Sequence, residues 1–228
     1  SMQQLKRKYE GRTAVILCNG PSLNKVDFDL LNTTEVHTFG LNKINLLFSS
    51  TDFRPSWIVA VNSYVIRQNR EFFNSTEIPL FLDKDGASDA DITGRRGVVR
   101  IRSRPGTGRF SRSCELGVFQ GHTVTYVAMQ LAYHMGFQKV GLVGCDHNFP
   151  DSGRPNELAQ TYGTDRNHFH PDYFSGGMSW EYPDLAGSEF HYQKARVAFE
   201  NVGRELVNCT EGGNLEVFTR MALNKFLG

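Results

Sequence analysis

TAVILCNGPSL, residues 13 to 23, runs an apolar segment of strand length straight into four small polar or turn-forming residues, Asn19, Gly20, Pro21 and Ser22. Residues 13–18 are near-continuously apolar rather than alternating, which is the pattern of a parallel strand buried on both faces. A strand of this kind that ends in small residues is where many α/β proteins hold a phosphate. Six further runs have the same character: 36–41, 57–61, 78–82, 98–101, 140–143, and 205–207 leading to Cys209.

Helical spacing appears between some of these runs. In GHTVTYVAMQLAYHMGF (121–137), Val124, Val127, Ala128, Leu131, Ala132 and Met135 share one face, with His122 or Thr123 near the start and Gly136 as a stop. A second helix is expected from about Ser188 to 206, with Tyr192, Ala195, Phe199, Val202 and Leu206 on one stripe. Helix-then-strand units predict an α/β fold, a Rossmann-like doubly wound parallel sheet covered on both faces. The segment from about 150 to 187 is rich in Gly, Pro, Asn, Asp, Tyr and His and lacks periodicity, so it reads as an irregular lid on a single domain spanning 1–228.

A chain of 228 residues is long enough to bury a real core, and 39% hydrophobic against 21% charged residues is an ordinary globular balance. The net charge of +1 gives no global case for nucleic acid or membranes, and no apolar stretch approaches a membrane span. Ser1-Met2 reads as a cleavage scar, and the polar QQLKRKYEGR after it is no signal sequence, so a cytoplasmic location is expected. Cys18, Cys145 and Cys209 end apolar runs and are expected to be buried thiols, with no zinc spacing. The sequons at Asn32, Asn74 and Asn208 are then chance occurrences.

The strand ends carry a recurring side chain: Asn19, Asn42, Asn62, Asp146 and Asn208. At the carboxyl end of a parallel sheet these would form one polar rim, with amides suited to a ribose, a base edge or a phosphate. Turn capping explains any one of them equally well. The loop after the first strand matches neither a Walker A motif nor GxGxxG, so Pro21 would instead aim the N–H groups of Ser22 and Leu23.

Two segments carry histidines beside carboxylates, GCDHNF (144–149) with Asp146 and His147, and DRNHFHPDYFSGG (165–177) with His168, His170, Asp172 and Tyr173. Such histidines suit proton transfer near neutral pH, metal binding, or simple hydrogen bonding in a polar loop. Asp83-x-Asp85 reads as a metal–diphosphate motif or, more cheaply, as a turn. Seven arginines (95, 96, 100, 102, 104, 109 and 112) form either an anion-binding stretch or a solvated basic face.

Taken together, NGPSL, the asparagines after the second and third strands, the Gly-started helix and LVGCD resemble the small bacterial sialyltransferases of glycosyltransferase family 42. GCDHNF, NHFHPDYFSGG and GGNLEVFTR resemble their relatives labelled 6-hydroxymethylpterin diphosphokinase-like, which are associated with surface-polysaccharide synthesis. The resemblance spans roughly 13 to 220. It implies a glycosyltransferase that moves a sugar, sialic-acid-like, from a CMP-linked or other nucleotide donor to a saccharide acceptor, without metal or other cofactor. Asn19, Gly20, Pro21, Ser22, Asn42, Asn62, Thr123, Asp146 and His147 would meet the nucleotide and donor. His168 or His170 would be the base, and Tyr162 or Tyr173 would assist the leaving phosphate. The chain departs from the sialyltransferases at residues 120–123 and at His147, where they carry an aromatic. The alternatives are an ATP- and Mg2+-dependent diphosphokinase, with Asp83, Asp85 or Asp146 converging on the metal, and a nucleotide-binding module without catalysis.

Overall fold

A computed structural model describes residues 1–92, 96–149 and 153–228. Its strands are β1 (Thr13–Leu17), β2 (His37–Leu41), β3 (Trp57–Ala60), β4 (Leu80–Asp83), β5 (Val98–Ile101), β6 (Ser103–Arg104), β7 (Val118–Phe119), β8 (Lys139–Val143), β9 (Leu158–Thr161), β10 (Met178–Glu181), β11 (Glu205–Asn208) and β12 (Thr219–Arg220). The helices are α1 (Met2–Leu5), α2 (Phe28–Thr33), α3 (Ser63–Gln68), α4 (Arg70–Ser75), α5 (Lys84–Asp89), α6 (Val124–Met135), α7 (Leu185–Glu200) and α8 (Leu223–Leu227).

Eight strands form one parallel sheet in the order β12-β11-β8-β1-β2-β3-β4-β5, and each of the seven predicted runs supplies one of them. The chain winds outward from β1 to β5, returns to β8 on the other side of β1, and continues to β11 and β12. The order therefore reverses between β1 and β8, where Leu17 lies opposite Val143. The apolar run of β1 is continuous because the sheet is covered on both faces. Ala14 and Ile16 pack with residues of α6 and α7, Val15 and Leu17 with residues of α2, α3, α5 and α8, and all four are fully buried.

Helix α6 starts at Thr123, whose hydroxyl accepts the Thr125 N–H, and stops at Gly136 in the left-handed conformation. The second predicted helix is corrected at both ends. Helix α7 begins after Asp184, which accepts the Gly187 N–H, and ends at Glu200, because Gly203 at φ +69° turns the chain into β11. Val202 is consequently exposed, and Leu206 belongs to the strand.

The lid segment is less irregular than expected, since β9 and β10 form an antiparallel hairpin tied by the Trp180 indole N–H to Thr161. It docks on the sheet through hydrogen bonds that include Phe169 N–H to Asn19 O, Asn24 Nδ2 to Phe169 O, and Lys43 Nζ to Tyr173 O. All four cysteines are free and buried. Among the described residues no helix is long and apolar enough to cross a membrane.

Candidate functional site

A cavity of about 450 Å³ opens at the carboxyl ends of β1, β2, β3 and β8, closed in by the lid segment and by the starts of α6 and α7. This is the crevice that strand-order reversal creates in doubly wound sheets. Asn19, Gly20, Asn42, Asn62, Thr123, Asp146, His147, His168 and Tyr173 all line it. Pro21, Ser22, Tyr162, His170 and the fifth strand-end amide, Asn208, do not. Asn208 is turned to the carbonyl of Leu215 instead.

The loop after β1 is closed on itself rather than open to a phosphate. Gly20 N–H donates to Gly144 O and Leu23 N–H to Gly20 O, while Ser22 donates both its N–H and its hydroxyl to the Asp146 carboxylate, the latter at 2.7 Å. A Cβ on Gly20 would overlap that carboxylate and come within 2.6 Å of Gly144 O, so only glycine allows this approach. The N–H groups of Ser22 and Leu23 are therefore spent locally, and Asp146 ties the ends of β1 and β8 together.

The amides of the rim have open valences. Asn19 donates to Leu41 O (2.9 Å) and to Tyr173 Oη (2.8 Å), but its buried Oδ1 has no partner among the described residues, and neither has that of Asn42. Unpaired buried acceptors are costly, and donors from a ligand would satisfy them. Asn62 is more occupied: it caps α3 through the N–H groups of Tyr64 and Val65 and donates to Glu181. Asn42, His122, His147 and Asn156, four of the six described non-glycine residues with positive φ, line the cavity. Backbone strain is thus concentrated where ligands would bind.

His168 and His170 are separated by the fold. His168 Nδ1 is 2.8 Å from Asp165 Oδ2, and its ring stacks nearly parallel on Tyr173 with the centroids 4.1 Å apart. Burial would push the Asp165 carboxyl up, but the hydrogen bond and charge of His168, with backbone N–H donors, hold it below the ordinary value. Nε2 of His168 has no partner among the described residues. His170 lies outside the cavity and accepts the Asp172 N–H on Nδ1. Tyr173 is fully buried, and burial pushes its phenol up, so the group stays neutral. Tyr162 is 80% exposed and donates to Gln160.

Several groups in and around the site were missed in the sequence. Lys43 is buried beneath the lid with Nζ over the Phe174 ring, and burial lowers its pKa to about 8. Glu189 meets His147 Nε2 at 2.9 Å, and Asp184 lies 3.5 Å from His122 Nδ1. His191 donates Nδ1–H to Gly187 O and accepts Gly108 N–H on Nε2, which assigns its neutral tautomer. Asp165 was legible as a carboxylate three residues before His168, whereas Lys43, Glu189, Asp184 and His191 depend on partners distant in sequence.

The described arginines do not reach the cavity, and among the described residues its lining holds neither arginine nor lysine. Arg100 donates to Ile92 O, Arg104 to Leu116 O, and Arg109 lies over Phe119, while Arg95 falls outside the described residues. Asp83 is an N-cap: it accepts from Asp85 and Gly86 N–H and from both donors of Ser103. Among the described residues no group of three or more His, Cys, Asp or Glu side chains is arranged to hold a metal.

A parallel sheet of this order, flanked by helices and with a cavity at its reversal point, defines a Rossmann-like α/β protein. The chain belongs to the family described as 6-hydroxymethylpterin diphosphokinase MptE-like, whose model matches residues 1–152. Its fold is similar to that of the sialyltransferase CstII from Campylobacter jejuni, solved with a substrate analogue, cytidine-5'-monophosphate. The two are 10% identical, with a TM-score of 0.53 over 94% of this chain and 86% of that one. No curated protein matches the chain in sequence.

Proposed function

We propose that the protein is a glycosyltransferase that takes a sugar from a nucleotide-linked donor, CMP-linked in the first instance, and passes it to a saccharide hydroxyl. The observation that carries this reading is the His168–Asp165 pair, stacked on Tyr173 and facing a cavity at the sheet's reversal point. Asp165 fixes the proton on Nδ1 and leaves the Nε2 lone pair to accept a proton from the attacking hydroxyl. Tyr173, neutral and held by Asn19, is the platform that keeps the imidazole flat rather than a proton donor. The start of α6 at Thr123 offers its dipole to an anionic group of the donor. A pure binding module has no use for such a pair. The bound CMP of the sialyltransferase with the similar fold supports the choice of nucleotide.

Family membership favours a second reading, an ATP-dependent diphosphokinase. The residues here fit its Mg2+ poorly: Asp146 is engaged by Ser22, and Asp83 is a helix cap outside the cavity.

Thermal shift with CMP, CDP, UDP, GDP and ATP, each with and without Mg2+, separates the two. A ligand at about 100 times its Kd raises stability by about 2.7 kcal/mol. Stabilisation by CMP without Mg2+ is expected; stabilisation by ATP with Mg2+ alone would overturn the glycosyltransferase reading.

A further inference from the structure

Among the described residues the lining of this cavity holds no arginine or lysine, so histidines and helix N-termini are the positive groups there that a phosphate would meet. His191 is excluded because both ring nitrogens are committed to backbone groups. His168 is held by Asp165 on the lid segment. His147 is differently placed. It follows Asp146 at the end of β8, where the strand order reverses, and its backbone is held at φ +52°, an uncommon conformation for a non-glycine residue. Its ring is nearly buried yet lines the cavity; Nε2 is tied to Glu189 Oε1 at 2.9 Å, and Nδ1 has no partner among the described residues.

We propose that His147, oriented by Glu189, is the group that donates to the phosphate of the bound nucleotide and receives its charge as the sugar departs. This rests on the nucleotide reading given above. In the transfer step, the acceptor oxygen forms a bond to the anomeric carbon while the bond from that carbon to the phosphate oxygen breaks, its electron pair leaving with the phosphate. The acceptor proton passes to His168 Nε2. The Nδ1–H of the His147 imidazolium passes to the departing oxygen, and exchange with solvent restores both rings. The other titratable groups at this wall are Tyr192 of α7, with Asp146 and Cys145 at the strand end; His122, His168, His191 and Glu181 face the cavity from its other walls.

The test compares CMP with cytidine, which lacks the phosphate, by calorimetry at pH 6 and pH 8 on the wild type, His147→Gln and Glu189→Gln. Loss of one charge-assisted hydrogen bond should weaken CMP binding by about tenfold or more at pH 6, and cytidine binding by less than about twofold. The difference should narrow at pH 8. Glu189→Gln, at a half-exposed position on α7, should show the same selectivity at smaller amplitude and serves if His147→Gln does not fold. Equal loss for CMP and cytidine, or none for either, overturns the role of His147 alone. CMP failing to bind the wild type overturns the nucleotide reading and this inference with it.

Discussion

The two walls of the cavity treat their polar groups in opposite ways. The loop after β1 spends its N–H groups on Gly144, Gly20 and Asp146, so it holds two strand ends in place and offers little to a ligand. The lid segment and the amides at the ends of β1 and β2 that it covers leave His168 Nε2 and the side-chain oxygens of Asn19 and Asn42 open, and are steadied by stacking and by Lys43 beneath the lid. One wall is saturated and rigid; the other is held from behind and open in front. Preorganisation of this kind places reactive atoms without requiring them to be buried in their own hydrogen bonds.

The comparison is broken most directly at the histidines. His168→Gln should lower turnover by roughly 10²–10⁴-fold, the ordinary contribution of a general base, while His170→Gln leaves it unchanged in the same assay. Equal effects would mean that position relative to the cavity does not decide function. Next in size is Lys43. Its folded-state pKa, about 8, lies below its ordinary value of 10.5, so between these pH values the unfolded chain binds a proton that the folded one does not. The stability of the wild type relative to Lys43→Met should therefore rise across that window, by on the order of 3 kcal/mol in total. Urea melts at pH 7.5 and pH 10 measure it, and parallel behaviour of the two proteins would refute the buried ammonium.

Glycines sharpen the contrast further. Gly20→Ala must displace Asp146 or the backbone at Gly144 and should cost roughly 1–3 kcal/mol, whereas Gly163→Ala on the lid segment meets nothing within 4 Å and should stay within about 0.5 kcal/mol. Chemical denaturation of both proteins decides it. Asp83→Ala is expected to cost about 1 kcal/mol as a lost helix cap, with CMP affinity unchanged. A loss of ligand binding there would return Asp83 to the site.

The parallel sheet and helix α6 were legible because they rest on short-range patterns: continuous apolar runs for buried strands, and the face from Val124 to Met135 for α6; the short helices α1 to α5 and α8 carry too little periodicity and were not foreseen. The end of α7 was misread because Val202 and Leu206 continue its periodicity by coincidence, and a glycine in the left-handed conformation outweighs them. The lid hairpin was missed because LAQT and MSWE are short and only partly buried, which leaves little hydrophobic signal. The rim amides and His168 could be picked out by their positions after strands or in a polar loop. Lys43 and Glu189 could not, since an isolated charged residue reveals nothing until a partner distant in sequence buries or orients it. Ser22 shows the converse: its place in a familiar loop suggested a ligand contact, but a carboxylate 124 positions away claims it.

The pairing of Thr13 with Lys139 has a consequence for how the molecule is made. A chain leaving the ribosome can lay β2, β3, β4 and β5 beside β1 from consecutive segments. The floor between Gly20 and Gly144 waits for β8, and its cover waits for the lid after that. Contacts so far apart in sequence form late, at a high entropic cost of loop closure. During synthesis the nascent protein is a half-sheet with one exposed flank at β1, which needs protection from other strands well before there is any cavity to occupy.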